Sequence, residues 1–119
     1  GLVEAGIPTA AEETNLDTLS LDDWLIEKKD ATYLLRVKGE SMIEAGIRDG
    51  DMVLVEKTER VKTGDIVVAE VDGEWTMKYL RDKQGKRYLE PANREFKSIF
   101  PRETLSIVAV VRAVIRKYL

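Results

Sequence analysis

The sequence predicts a mainly β fold that is small, strongly bent and antiparallel, with one or two short helices. Two observations carry this. Stretches rich in Val, Ile, Leu and Tyr recur at short intervals and are broken by Gly-Asp and Asp-Gly pairs, the punctuation of tight turns between strands. Little of the chain has helical periodicity. With 119 residues, 44% of them hydrophobic, the chain can bury one core in one domain and is not disordered as a whole.

The elements follow in order. Residues 1–19, "GLVEAGIPTAAEETNLDTL", are rich in small residues, acids and Thr, with Pro8 fixing a bend, and read as an extended arm ahead of a folded unit at 20–119. "SLDDWLIEKK" reads as a short helix. Ser20 is the candidate N-cap, Asp22 and Asp23 sit where the helix dipole favours acids, and Leu21, Trp24 and Leu25 share a face. "TYLLRVK", "DMVLVEK" and "DIVVAEVDG" read as strands. "EWTMKYLR" follows Asp72-Gly73, which predicts a hairpin with a tight turn, and "KRYLEPA" follows Gly85 in the same manner. "LSIVAVVRAVIRKYL" closes the chain as a curved or interrupted strand.

Composition removes whole classes of chemistry. There is no Cys, which rules out disulfides and thiol catalysis, and no His. Without either residue a zinc site is not expected, nor is any other metal or cofactor. The net charge is −3, from 19 basic and 22 acidic residues that are interspersed, so this domain is a poor candidate for binding nucleic acid alone. No apolar run approaches the length of a membrane span and no signal peptide is visible; a cytoplasmic protein without membrane association is expected. The first residue is Gly1, and a longer parent chain is expected.

One segment poses a chemical question. "LLRVKGESMIEAGIRDGDMVLVEK" places Ser41 between two strand-like runs. Ser41-Met42-Ile43-Glu44 fits the S-x-x-E capping box, so Ser41 can simply cap one helical turn that ends at Gly46. A Ser at such a place also lies beside free backbone N–H groups, which can hold an oxyanion. With no imidazole in the chain, a Ser nucleophile needs another base, and a lysine made neutral by burial can serve. Lys78 in "EWTMKYL" is the candidate by local context: Trp75, Met77 and Tyr79 alternate on one face of a strand, Thr76, Lys78 and Leu80 on the other. A solvent-facing strand lysine fits the same pattern, and periodicity alone does not select Lys78 from the other lysines.

Three segments taken together resemble one family. "GESMIEAGIRDGDMVLVEK" resembles the serine-nucleophile segment of the LexA/UmuD family of self-cleaving proteins, "GDIVVAEVDGEWTMKYL" its lysine segment, and "EAGIPTA" its self-cleavage segment. They stand in the family's order, and the similarity extends through "YLEPANREFKSI" to the C-terminus. The resemblance implies the LexA/signal-peptidase type of β fold and a mechanism. The arm around Ala5-Gly6 docks as a substrate in cis, Ser41 attacks the Ala5 carbonyl, and Lys78 accepts the hydroxyl proton and returns it to the Gly6 amine. The backbone N–H groups of Ser41 and Met42 hold the oxyanion. The small Ala5 and Gly6 suit a close backbone approach, and attack in cis makes the reaction effectively unimolecular.

The same resemblance implies partners. A RecA–single-stranded-DNA filament would act as co-protease by favouring the docked arm, and raising the pH would mimic it by deprotonating Lys78. The family implies a homodimer through the C-terminal strand region. Two branches fit: a LexA-like transcriptional repressor of the DNA-damage (SOS) response, binding operator DNA through an N-terminal domain missing from this sequence, which is the favoured reading, and a UmuD-like accessory protein that joins a translesion polymerase. Two competing readings are a type I signal peptidase, which would need a membrane anchor absent from this sequence, and a non-catalytic dimerisation module in which Ser41 only caps and Lys78 is a surface charge.

Overall fold

The computed structural model describes residues 18–119. The helix α1 (Leu21–Leu25) and a 3-10 turn (Lys29–Ala31) lead into strand β1 (Thr32–Arg36). A second 3-10 turn (Ile43–Ala45) precedes β2 (Met52–Glu56). Then come β3 (Ile66–Val71), β4 (Glu74–Lys83), β5 (Lys86–Glu90) and β6 (Leu105–Ile115). The six strands form one antiparallel sheet in the order β1-β2-β6-β3-β4-β5, so the fold class read from the sequence holds.

Both hairpins form where the glycines place them. Val71 pairs with Glu74 and Lys83 with Lys86, leaving two-residue turns at Asp72-Gly73 and Gln84-Gly85. All four turn residues have positive φ, the geometry whose twist matches that of the flanking strands. Asp72 accepts three backbone hydrogen bonds, from the N–H groups of Arg102, Glu103 and Thr104 at 2.8–3.0 Å, which tie this turn to the lead-in of β6. Those donors hold its carboxyl below the usual carboxylate range.

β6 is one curved strand, not an interrupted one. Its register slips by one residue against β2 between Leu54 and Val55, and again against β3 between Val68 and Ala69. Two bulges in one central strand bend the sheet sharply. Strict alternation along β3 then feeds two cores. Val67, Ala69 and Val71 pack with Leu80, Leu89 and Val110 on one face. On the other, Val53, Val55 and Ala109 pack with Val37, Met42, Ile47 and Ala92, flanked by Ile66, Val68, Met77 and Tyr79.

The helix differs in detail from expectation. Ser20 stands at the N-cap position of α1, but only its carbonyl is engaged, accepting from the Trp24 N–H at 3.1 Å; its hydroxyl makes no capping bond. Leu21 and Trp24 are about two-thirds exposed. A single turn of helix is too short to need, or to deliver, an apolar stripe against the sheet.

Candidate active site

The chain leaves β1 and is pinned at once: the Val37 N–H donates to Asp51 O at 2.8 Å and the Gly50 N–H returns to Val37 O at 2.9 Å. Between these anchors lies the Ser41 turn. It ends at Gly46 as expected, but its N-cap is Met42, not Ser41, and no side chain caps it. The capping-box role for Ser41 is therefore not realised. Glu44 is engaged elsewhere, its carboxylate accepting from Arg94 Nε at 2.9 Å. What fixes the turn is the Met42 side chain, 1% exposed and sunk into the core, with its sulfur accepting the Ala92 N–H at 3.3 Å. Ser41 stays half-buried beside it. Among the described residues, no hydrogen bond takes up the backbone N–H of Ser41 or of Met42.

A second grip comes from the chain after β5. The Glu44 N–H donates to Ala92 O at 2.7 Å, and the Asn93 side-chain amide donates to Glu40 O at 2.9 Å. A third comes from the end of β6. Arg116 donates to both carboxylate oxygens of Asp51 at 2.7 Å and to Gly46 O at 3.0 Å, while Asp51 also accepts the Arg48 N–H at 2.8 Å. Asp51 is 3% exposed, and the Arg116 guanidinium beside it holds its carboxyl far below the usual range, at about 2.

Lys78 lies midway along β4, laddered to Val67 of β3, and is only 9% exposed. It shares its face with Thr76 and Leu80, as the alternation foresaw, and its Nζ donates to Thr76 Oγ1 at 2.5 Å. Burial lowers its pKa, because the ammonium loses water. The surface-charge reading of Lys78 is excluded by this burial.

A cleft of about 220 Å³ opens between the end of β1 and the first half of β4. Val37 and Lys38, just upstream of Ser41, form one wall, and Thr76 and Met77, just before Lys78, form the other. It shares Leu35, Val68 and Trp75 with an adjoining apolar pocket of about 260 Å³ that extends to Tyr33 and Val55. The chain also exits β5 one residue past the Tyr79–Glu90 pair, so the Ala92–Asn93 segment that grips the Ser41 turn begins beside Lys78. The cleft is thus lined by the residues leading into the Ser41 turn and by those preceding Lys78, but by neither Ser41 nor Lys78 itself. Nor does the structure join the two side chains: among the described residues no hydrogen bond links Ser41 to Lys78. Ala5 and Gly6 lie outside the described residues. Also among the described residues, no cluster of acids has the makings of a metal site, and no helix is long and apolar enough to cross a membrane.

Asn93 and Thr76 were given no role in the sequence reading. Thr76 is signalled by its i−2 position on the Lys78 face; Asn93 has no local signal, since its partner is 53 residues away.

Residues 1–112 match the family described as Peptidase S24-like. Named relatives agree. The chain is 39% identical over 116 residues to Protein ImpA of Salmonella typhimurium, covering 96% of this chain and 79% of that protein. It is 40% identical over 113 residues to Protein SamA of Salmonella typhimurium strain LT2, covering 95% and 79%. It is 41% identical over 117 residues to the LexA repressor of Acetivibrio thermocellus, covering 98% of this chain and 54% of that protein.

Proposed function

Because the chain belongs to the Peptidase S24-like family, we propose that it is a self-cleaving serine peptidase domain that cuts its own Ala5-Gly6 bond with a Ser41-Lys78 dyad. The observation that carries this reading is Lys78: a lysine 9% exposed, with no carboxylate partner among the described residues and its pKa lowered by desolvation, on a strand beside a cleft. Burying an unpaired ammonium is costly, and a neutral amine is what a Ser hydroxyl needs when no imidazole exists.

In this reading residues 1–19 are the arm and 20–119 the peptidase unit. For cleavage the arm would dock along the groove, where Leu35, Val68 and Trp75 suit the apolar Leu2, Val3 and Ile7 of its sequence. Ser41 Oγ bonds to the Ala5 carbonyl carbon while neutral Lys78 takes the hydroxyl proton. The N–H groups of Ser41 and Met42 hold the oxyanion. The intermediate collapses, the Ala5–Gly6 bond breaks, and the Lys78 ammonium protonates the leaving Gly6 amine. Water then hydrolyses the Ala5–Ser41 ester. Lys78 must be neutral to begin, so below its pKa the rate rises about tenfold per pH unit.

The relatives support a biological setting for this reading. The similarity to a LexA repressor supports the peptidase unit of a LexA-like transcriptional repressor of the DNA-damage response, cytoplasmic, dimeric through the β6 region, and stimulated by a RecA–single-stranded-DNA filament. The chain covers 79% of ImpA and SamA, which leaves those relatives little room for a separate DNA-binding domain. That favours, as a second reading, a UmuD-like accessory protein of a translesion polymerase processed by the same cut.

The test is intact mass against time near pH 7 and near pH 10, for the wild type and for Ser41→Ala and Lys78→Ala. Loss of residues 1–5 that accelerates with pH is expected in the wild type alone, with each variant at least about 10³-fold slower. A variant that cuts at the wild-type rate overturns the dyad.

A further inference from the structure

The Glu40–Ser41 peptide bond is held from one side only. Its carbonyl accepts two hydrogen bonds, from the Asn93 side-chain amide at 2.9 Å and from the Ile43 N–H at 3.3 Å. Its N–H, that of Ser41, has no acceptor among the described residues. A trans peptide is planar, with C=O and N–H pointing to opposite sides. Fixing where the Glu40 oxygen points therefore fixes where the Ser41 N–H points. The amide also polarises this peptide, since a carbonyl that accepts a hydrogen bond makes its own N–H a better donor. Asn93 is itself locked: its Oδ1 accepts the Glu95 N–H at 2.9 Å, which sets which end of the amide faces Glu40. The contact spans 53 residues and comes from the loop that follows β5.

We propose that Asn93 is a positioning residue for the oxyanion hole, aiming the Ser41 N–H by gripping the carbonyl at the other end of the same peptide bond. This rests on the self-cleavage reading above. Asn93 touches neither the scissile bond nor Lys78 in this role; it acts through the peptide it holds. Its removal should change how well the oxyanion is held and leave the proton acceptor unaltered.

The two effects separate in a pH profile. Cleavage of the full chain is followed by intact mass from pH 7 to pH 11 for the wild type, Asn93→Ala, Asn93→Asp and Asn93→Gln. For Asn93→Ala the plateau rate at high pH should fall about 10- to 100-fold, the cost of a misplaced oxyanion donor, with the midpoint of the profile unmoved. Asn93→Asp, nearly isosteric but unable to donate at alkaline pH, should be at least as slow even if the Ala variant folds poorly. Asn93→Gln, which keeps the donor, should recover part of the rate. A wild-type plateau in both Asn93→Ala and Asn93→Asp, or a moved midpoint with an unchanged plateau, overturns the proposal. A readout free of the chemistry accompanies it: the orientation of the Ser41 N–H vector from residual dipolar couplings, in Ser41→Ala protein with and without Asn93→Asp. An unchanged vector at position 41 overturns the role of Asn93 alone. A wild type that never cuts at any pH overturns the peptidase reading and this role with it.

Discussion

The turn around Ser41 has three residues of 3-10 helix and no strand pairing of its own, whereas Lys78 stands midway along a ten-residue strand laddered to β3 on one side and, further along, to β5 on the other. The turn is held by particular groups: the Met42 thioether in the core, the Asn93 amide, the Arg94 and Arg116 guanidiniums. The strand is held by backbone hydrogen bonds that any residue would make. A position fixed by side chains is fragile and tunable in geometry; one fixed by a sheet is robust in geometry and tunable only in its environment. The proposed nucleophile and base divide in this way, and the division makes different demands on substitutions in each region.

The largest expected effect breaks the turn. Met42→Ala removes its core anchor and the acceptor for the Ala92 N–H, and should cost about 2–5 kcal/mol of stability, read from urea unfolding. A cost under about 1 kcal/mol would mean that the polar grips alone hold the turn. Next, Lys78→Met tests whether the strand tolerates replacement of its buried amine. The folded pKa of Lys78 lies below its unfolded value, so the folded state binds fewer protons between the two, and stability rises with pH through that window. Below the window the buried charge is a full penalty. The variant should therefore be more stable near pH 7, with a higher Tm, and the gain should vanish above pH 10.5. A variant less stable at pH 7 would show that the lysine is a net asset to the fold. The smallest effect is Thr76→Val. The Thr76 hydroxyl accepts from the ammonium and so favours the charged form. Its loss should move the midpoint of the cleavage profile to lower pH by less than about one unit; a move upward would mean that Thr76 serves the neutral amine instead.

The same division explains what could be read from the sequence. All six strands and both hairpins were legible because period-2 alternation and the Asp72-Gly73 and Gly85 signals are local, and a sheet is built from local repeats. Even there, the bulges that bend β6 were visible only as unusual length. The two caps drawn from local rules, at Ser20 and Ser41, are not made by those hydroxyls. In the turn, burial of Met42 overrode the capping box, since a core side chain outweighs one surface hydrogen bond. Burial of Lys78 was not legible because its neighbours on β4 are only half of its surroundings. Asn93, Arg94 and Arg116 were silent because their partners are 50 to 70 residues away.

Those separations have a consequence for the order of events in a newly made chain. Met42 cannot settle until Ala92 and Asn93 are present, and the Arg116 clamp on Asp51 and Gly46 closes only after β6 has been made. Contacts between residues so distant in sequence form late, after the chain between them has been ordered. During synthesis the Ser41 turn is therefore completed late, together with the pairing of β2 to β6 and well after Ala5-Gly6 has been made. If Ala5-Gly6 is the bond cut, as proposed, this order keeps it intact until the turn that would attack it has been built.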